Sequence, residues 1–301
     1  MVETTQENLI MTWLITGSEG QLGKAMQLAL GNSSIEFIPL NSKELDVSIE
    51  AAVEETIDKY RPIVIINAAA WTDVDGAENN KERAFDINAN GPKYLAKSAK
   101  KYDATLVQIS TDYVFSGSGG IPWAEDSAPK PISVYGHTKS VGEGYVLEHY
   151  KERSYIVRTA WLYSAQGTNF VKTMTNVATN NDGEVRVVRD QVGQPTFAKD
   201  LAEQVIKMVS SQAPFGIYHG TNSGEASWFD LAKYIFEMSG AKASRIIPVD
   251  SSEYIRQAER PQYSVLGHEK WKAVGLSTMR NWKVALQEAM PAVINQIKRV
   301  E

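Results

Sequence analysis

Residues 12–30 read TWLIT-GSEG-QLGKAMQLAL, an apolar run tied to a helical pattern by three glycines. TWLIT (12–16) predicts a strand, and QLGKAMQLAL (21–30) carries apolar residues at helical spacing. Gly17, Gly20 and Gly23 stand between them, spaced G-x-x-G-x-x-G rather than G-x-G-x-x-G. Glycines at such a strand–helix junction let the backbone approach a pyrophosphate at the positive end of the helix. Taken alone, the junction is a tight βα turn, and its neighbours must decide the fold.

The neighbours repeat the alternation. IEFIPL (35–40) predicts a second strand and IEAAVEETIDKY (49–60) a second helix. IVIIN (63–67) is almost wholly apolar, as a parallel strand covered on both faces requires. A long helical segment over 81–102 is expected to break or bend near Gly91-Pro92. TLVQIS (105–110) and YIVRT (155–159) are further strands. Strands alternating with helices imply right-handed βαβ units, hence an α/β, Rossmann-like doubly wound parallel sheet. After about residue 165 the pattern is less regular. Helices are predicted over 198–211 and 227–240, a strand over 216–220, and strands or loops around 246–249 and 260–266. The expected division is a dinucleotide-binding domain over 12–165 and a smaller C-terminal substrate-binding lobe over 166–301, with some return to the Rossmann core.

The bulk numbers narrow the function. The 301 residues are 43% hydrophobic and 22% charged, ordinary for a globular chain with a sizeable core. The net charge of -5 argues against a nucleic-acid partner held by a general basic surface. With no cysteine, disulfides, thiolate catalysis and cysteine-held metals are excluded. No apolar run reaches the length of a membrane span, and the polar start MVETTQENLI does not read as a signal peptide. Residues 1–11 are expected to be a disordered extension and the protein to be cytoplasmic. His137, His149, His219 and His268 are scattered without ligand spacing, so no metal site is expected.

Four stretches carry chemistry. Strand two ends in Asn41-Ser42-Lys43, with no carboxylate to repel a 2′-phosphate, which favours NADPH while leaving NADH possible. Asn67-Ala68-Ala69-Ala70 ends strand three with small side chains, leaving room for a flat cofactor, and WTDVDGAE (71–78) follows at the ligand-binding edge of such a sheet. STDYVF (110–115) ends strand four and offers the hydroxyls of Ser110 and Thr111. In PISVYGHTKSVGEGY, Tyr135 stands four residues before Lys139, one turn apart on a helix face. An ammonium group there would favour phenolate and lower the phenol's pKa.

In this order, the glycine turn, NAAA, STDYVF and Tyr-x-x-x-Lys resemble the extended short-chain dehydrogenase/reductases. More narrowly, GSEGQLG, NAAAWTDVDGAE, STDYVFSG, YGHTKSVGE, RTAWLY, NFVKTM and DQVGQPT resemble the dTDP-4-dehydrorhamnose reductase family, from about residue 12 into the C-terminal lobe. The resemblance implies NAD(P)H-dependent reduction of the C4 keto group of dTDP-4-dehydro-L-rhamnose, a step toward bacterial surface polysaccharide. It makes Tyr135 the general acid. Lys139 binds the nicotinamide ribose and lowers the phenol's pKa, and Thr111 holds the substrate carbonyl. It puts Gly17, Gly20, Gln21 and Leu22 on the pyrophosphate, Asn41, Asp46 and Val47 on the adenosine half, and Ala69, Ala70, Trp71 and Thr72 along the cofactor. Thr72, Val74, Thr111, Asp112, Tyr113, Tyr135 and Trp161 would line the sugar pocket. Asn169 and the loop 191–196, with Gln194, would face the nucleotide diphosphate. Some relatives dimerise through magnesium held by acidic side chains, one of them on the first helix. Here that helix reads Lys24-Ala25-Met26, so neither that metal nor that dimer is expected, and the oligomeric state is left open. Two alternatives share these motifs: another nucleotide-sugar epimerase, dehydratase or ketoreductase, and a non-catalytic regulatory subunit such as that of methionine adenosyltransferase. Dehydratases usually carry an acidic pair beside the catalytic hydroxyl, and STDYVF offers only Asp112.

Overall fold

The chain lays down β1 (Trp13–Thr16), α1 (Gln21–Asn32), β2 (Phe37–Leu40), α2 (Glu50–Tyr60) and β3 (Val64–Asn67) in strict alternation. A short α3 (Val74–Asn79) and α4 (Lys81–Phe85) run through one π turn, Asp86–Asn90, into α5 (Gly91–Lys101). The predicted break near Gly91-Pro92 is therefore a wider turn just ahead of it, where the missing proline N–H costs nothing. Then come β4 (Thr105–Thr111), α6 (Val134–Tyr150) and β5 (Ser154–Thr159). These descriptions rest on a computed structural model that describes residues 12–298. The extension expected over residues 1–11 lies outside the described residues.

The second half supplies β6 (Leu162–Tyr163), α7 (Phe170–Asn180), β7 (Val185–Val188), β8 (Val192–Gly193), β9 (Thr196–Phe197), α8 (Ala198–Ser210), β10 (Gly216–His219), β11 (Ala226–Ser227), α9 (Trp228–Met238), β12 (Ile246–Val249), α10 (Glu269–Ala273) and α11 (Trp282–Lys298). No helix among the described residues is long and apolar enough to cross a membrane.

The central sheet is parallel throughout, in the order β2-β1-β3-β4-β5-β10. β1, β3, β4 and β5 are buried at every position. Alternate residues serve the two faces. Trp13, Ile15, Val64, Ile66, Val107 and Val157 pack under Leu22, Met26 and Leu30 of α1 and Leu201 and Val205 of α8. Leu14, Ile65, Leu106 and Ile156 pack under α2, α5 and α6 through Ile57, Leu95 and Val146. A separate apolar cluster joins α7, α9 and α11 to the parallel pair β7–β12 through Met174, Ile235, Phe236, Ile246 and Leu286. The strand order reverses between β1 and β3, and a crevice opens at the carboxyl ends of strands at such a point.

Candidate active site

A cleft of about 890 Å³ occupies that crevice. Its floor is the turn after β1. Gly17 has φ +64, and a Cβ there would stand 2.7 Å from the backbone N of Ala69 at the end of β3. α1 begins at Gly20 with no side-chain cap and no acid in its first turn. The first N–H groups of an uncapped helix are left for an anion. Gly17, Gly20, Gln21, Leu22, Asn41, Asp46, Val47, Ala69, Ala70 and Thr72 all line the cleft. Lys43 does not, and Arg83 lines this end instead, paired to Asp46 at 2.7 Å and to the Ser48 hydroxyl at 2.7 Å. Arg83 and Lys139 are the cationic side chains lining the cleft among the described residues.

The other end is built by β4 and α6. Thr111 closes β4, and its hydroxyl accepts from the backbone N–H of Tyr113 at 3.2 Å and donates to Asp112 at 3.0 Å. Ser133 caps α6 by accepting from the Gly136 N–H at 3.2 Å. A Cβ at Gly136 would lie 2.2 Å from the Tyr113 carbonyl oxygen, so this glycine lets the helix start close against β4's end. Tyr135 and Lys139 both line the cleft, as do Thr111, Asp112 and Tyr113. The Tyr113 ring meets Tyr135 edge-on, centroids 5.6 Å apart at 75°.

The electrostatics of the pair depart from expectation. The Lys139 ammonium donates to the Ile109 carbonyl at 2.6 Å. Burial pulls its pKa down to about 8, with Glu143 opposing. Burial pushes the Tyr135 phenol up to about 12, against a hydrogen bond with Thr111. Burial is the largest influence on the phenol and acts against the depression expected from Lys139, whose ammonium faces the Ile109 carbonyl. Burial likewise pushes the Asp112 carboxyl up to about 6, against hydrogen bonds with Ser264 and Thr111.

Buried polar groups almost always find partners. Among the described residues, the side-chain atoms that do not include Ser110 Oγ, Asp112 Oδ2, Thr159 Oγ1 and Tyr163 Oη, and all four residues line the cleft. Each of these atoms is itself shut off from solvent, so they lie behind the cleft surface rather than on it.

Part of the cleft wall is aromatic. Trp161 takes φ +45 and stacks on Trp228, centroids 3.6 Å apart at 9°. Phe170 leans on Trp228 at 4.6 Å. All three line the cleft. Trp228 and Phe170 were not legible as site residues: Trp228 follows the Ser227–Asp230 capping box and reads as the first residue of an amphipathic helix. Asn169 lines the cleft too, donating to Gln21 Oε1 at 2.8 Å while capping α7 through Lys172.

Two expected contacts fall elsewhere. Gln194 is buried away from the cleft, accepting from the Leu266 N–H at 2.8 Å and the Thr221 hydroxyl at 2.9 Å. Its loop instead backs Trp161, where Gly193 abuts the indole. Trp71 does not line the cleft either. Its indole donates to the Asp73 carbonyl at 2.8 Å, and its main chain is gripped by buried Asn88 at 2.9 and 3.1 Å. Asn88, on the π turn, also donates to Thr138 of α6. Among the described residues, no group of three or more His, Cys, Asp or Glu could hold a metal ion.

Known proteins share this chain's full length. The family model described as RmlD substrate binding domain matches residues 11–295. A dTDP-4-dehydrorhamnose reductase from Streptomyces griseus is 43% identical over 291 residues, 95% of either chain. The crystal structure of a dTDP-4-dehydrorhamnose reductase from Clostridium acetobutylicum superposes with a TM-score of 0.90 at 42% identity, covering 93% of this chain and 99% of the other. That of the reductase from Bacillus anthracis, in complex with NADP, gives 0.89 at 38% identity over 93% and 98%. With the strand order, the glycine turn and the Tyr135–Lys139 helix in place, the chain belongs to the dTDP-4-dehydrorhamnose reductase family of oxidoreductases.

Proposed function

We propose that this chain reduces the C4 keto group of dTDP-4-dehydro-L-rhamnose to give dTDP-L-rhamnose, with NADPH preferred over NADH. The observation that carries the reading is the convergence of Thr111, Tyr135 and Lys139 on one cleft. A nicotinamide dinucleotide fits the other end, where uncapped α1 and the glycine turn form an anion cradle. When bound, it supplies the hydride for C4.

The chain's residues do the rest. Gly17, Gly20, Gln21 and Leu22 hold the pyrophosphate, Asp46 and Val47 the adenosine half, and Ala69, Ala70 and Thr72 flank the dinucleotide. Lys139, which gives one of its three donors to the Ile109 carbonyl, would bind the ribose hydroxyls with the others. Thr111 donates to the substrate carbonyl and fixes its angle to Tyr135. Tyr135 gives its proton to O4, and burial keeps that proton in place at neutral pH. Trp161 and Trp228 wall the sugar, and Asn169 stands toward its nucleotide. The absence of a carboxylate at Asn41-Ser42 and the presence of Arg83 support NADPH.

Given the keto sugar, purified protein should oxidise NADPH, with kcat/KM about tenfold higher than for NADH, as one charge-assisted contact to the 2′-phosphate would give. Cofactor bound but left unoxidised would sink the reading and point to a non-catalytic role. The aromatic wall is tested at Gly193, where a Cβ would lie 2.6 Å from the Trp161 indole. Gly193→Ala should raise the nucleotide-sugar KM roughly tenfold and leave the cofactor KM alone, since a shifted wall weakens one ligand only. An unchanged sugar KM would remove Trp161 from the pocket's duties.

A further inference from the structure

Two separately packed parts of the molecule meet at the cleft, and one amide side chain bridges them. α1 packs on one face of the central sheet through Leu22, Met26 and Leu30, whereas α7 packs with α9 and α11 through Val171 and Met174. Gln21 opens α1, and Asn169 caps α7. Both line the cleft. Asn169 Nδ2 donates to Gln21 Oε1 at 2.8 Å, and the buried Ser164 hydroxyl donates to the same oxygen at 3.3 Å. The loop between Ser164 and Asn169 lies against this side chain. Gly167 takes φ +71 there, and a Cβ on it would stand 3.1 Å from Gln21 Cγ.

Main-chain partners fix which way both amides point. Asn169 Oδ1 accepts from the Lys172 N–H at 2.9 Å, and its Nδ2 donates to the Ser164 carbonyl at 2.8 Å. A backbone N–H cannot accept and a carbonyl cannot donate, so Asn169 has only a donor to offer Gln21. Gln21 must therefore present its oxygen, and its two Nε2 donors point away from Asn169. Gln21 stands in the uncapped first turn of α1, where main-chain N–H groups are left for an anion. One end of the amide is committed to the cap of α7, and the other is a donor beside the anion cradle. We propose that Gln21 couples the two ligands of the cleft: its Nε2 takes a pyrophosphate oxygen of the dinucleotide, while its Oε1 holds Asn169 and Ser164 as positioning residues for the nucleotide sugar. Each ligand then meets a bridge that the other has already ordered. Immobilising one long side chain is worth roughly two- to tenfold in affinity, which sets the size of the effect. The inference rests on the reading of the cleft as a site for both a dinucleotide and a nucleotide sugar.

The test is calorimetric titration of the full chain with dTDP, without and with saturating NADP⁺. dTDP should bind about fivefold tighter to the NADP⁺-loaded protein, and NADP⁺ should gain the same factor from dTDP, because coupling is reciprocal. Asn169→Ser keeps an oxygen to cap the Lys172 N–H but lacks the amide that reaches Gln21. It should bring the ratio of the two dTDP affinities below about twofold. If Asn169 only touched dTDP, the change would weaken both affinities alike and keep the ratio, and that result would overturn the proposal. Gln21→Met keeps the length of the side chain without either end of the amide. It should lose the ratio likewise, and it stands in if Asn169→Ser does not fold. A wild-type ratio under about twofold also overturns the coupling. The two readings fail separately. NADPH oxidation by the keto sugar with a wild-type ratio near one sinks the coupling alone, whereas a fivefold ratio without turnover sinks the reductase reading alone.

Discussion

Tyr135→Phe should lower kcat by roughly 10²- to 10⁴-fold, the usual worth of a positioned general acid. It should leave folding and cofactor affinity nearly unchanged. The substitution removes one oxygen and keeps the ring that packs edge-on against Tyr113. Burial pushes the phenol up to about 12, so the group is protonated throughout the neutral range and is already the acid the reaction needs. Its own titration should therefore leave no limb in the rate profile between pH 6 and 9. Lys139 behaves oppositely. Burial pulls it down to about 8, so it is charged below that pH and loses its charge above it. Whatever the ammonium contributes to ribose binding should fade as pH rises through about 8, and this limb should vanish in Lys139→Met. Stopped-flow cofactor oxidation across pH 6–10 checks both. A Tyr135→Phe protein within threefold of wild type would end the proton-donor assignment.

Arg158→Met should destabilise the fold by about 3–5 kcal/mol, the cost of leaving one member of a buried ion pair uncompensated. Arg158 on β5 donates to Glu143 on α6 at 2.7, 3.0 and 3.2 Å, with the two side chains 1% and 3% exposed. The guanidinium also meets the Glu125 carbonyl at 3.2 Å and lies over the Phe115 ring at 5.0 Å. His219 beside it is kept neutral, with burial and then the arginine's charge pulling it down to about 3. With Arg158 gone, Glu143 has no cation of equal rank to face. Removing both charges, as Arg158→Met with Glu143→Leu, should recover most of the loss, since apolar replacements of a buried pair are often near neutral. Urea unfolding of the three proteins measures it. A single-mutant loss below about 1 kcal/mol would mean that water reaches the pair. Because Glu143 shares α6 with Tyr135 and Lys139, the pair also fixes that helix to the sheet.

Much of this molecule is written in local pattern. Burial of β3 on both faces follows from the nearly unbroken apolar run at residues 63–67, and the switch point follows from the alternation of strands with helices. The glycine turn is visible because Gly17 must take a positive φ and admit the backbone of β3. Tyr135 and Lys139 are visible because helical spacing places them one turn apart. What pattern does not carry is direction and distance between segments far apart in the chain. Spacing put Lys139 beside the phenol, but only the packed sheet brings the Ile109 carbonyl to its ammonium. Gln194 sits in a polar turn that could face a ligand, yet Leu266 and Thr221 satisfy it from elsewhere. Trp228 looks like any helix-start aromatic until Trp161, 67 residues earlier by their numbering, stacks on it. Arg260 reads as one more surface charge until α3, formed by residues 74–79, closes on it. Local propensity depends on neighbours within a few residues, whereas these partnerships depend on which surfaces the core brings together. The fold and the helical spacing of Tyr135 and Lys139 belong to the first kind. The aromatic wall, the Lys139–Ile109 contact and the Arg260–Asp75 pair belong to the second.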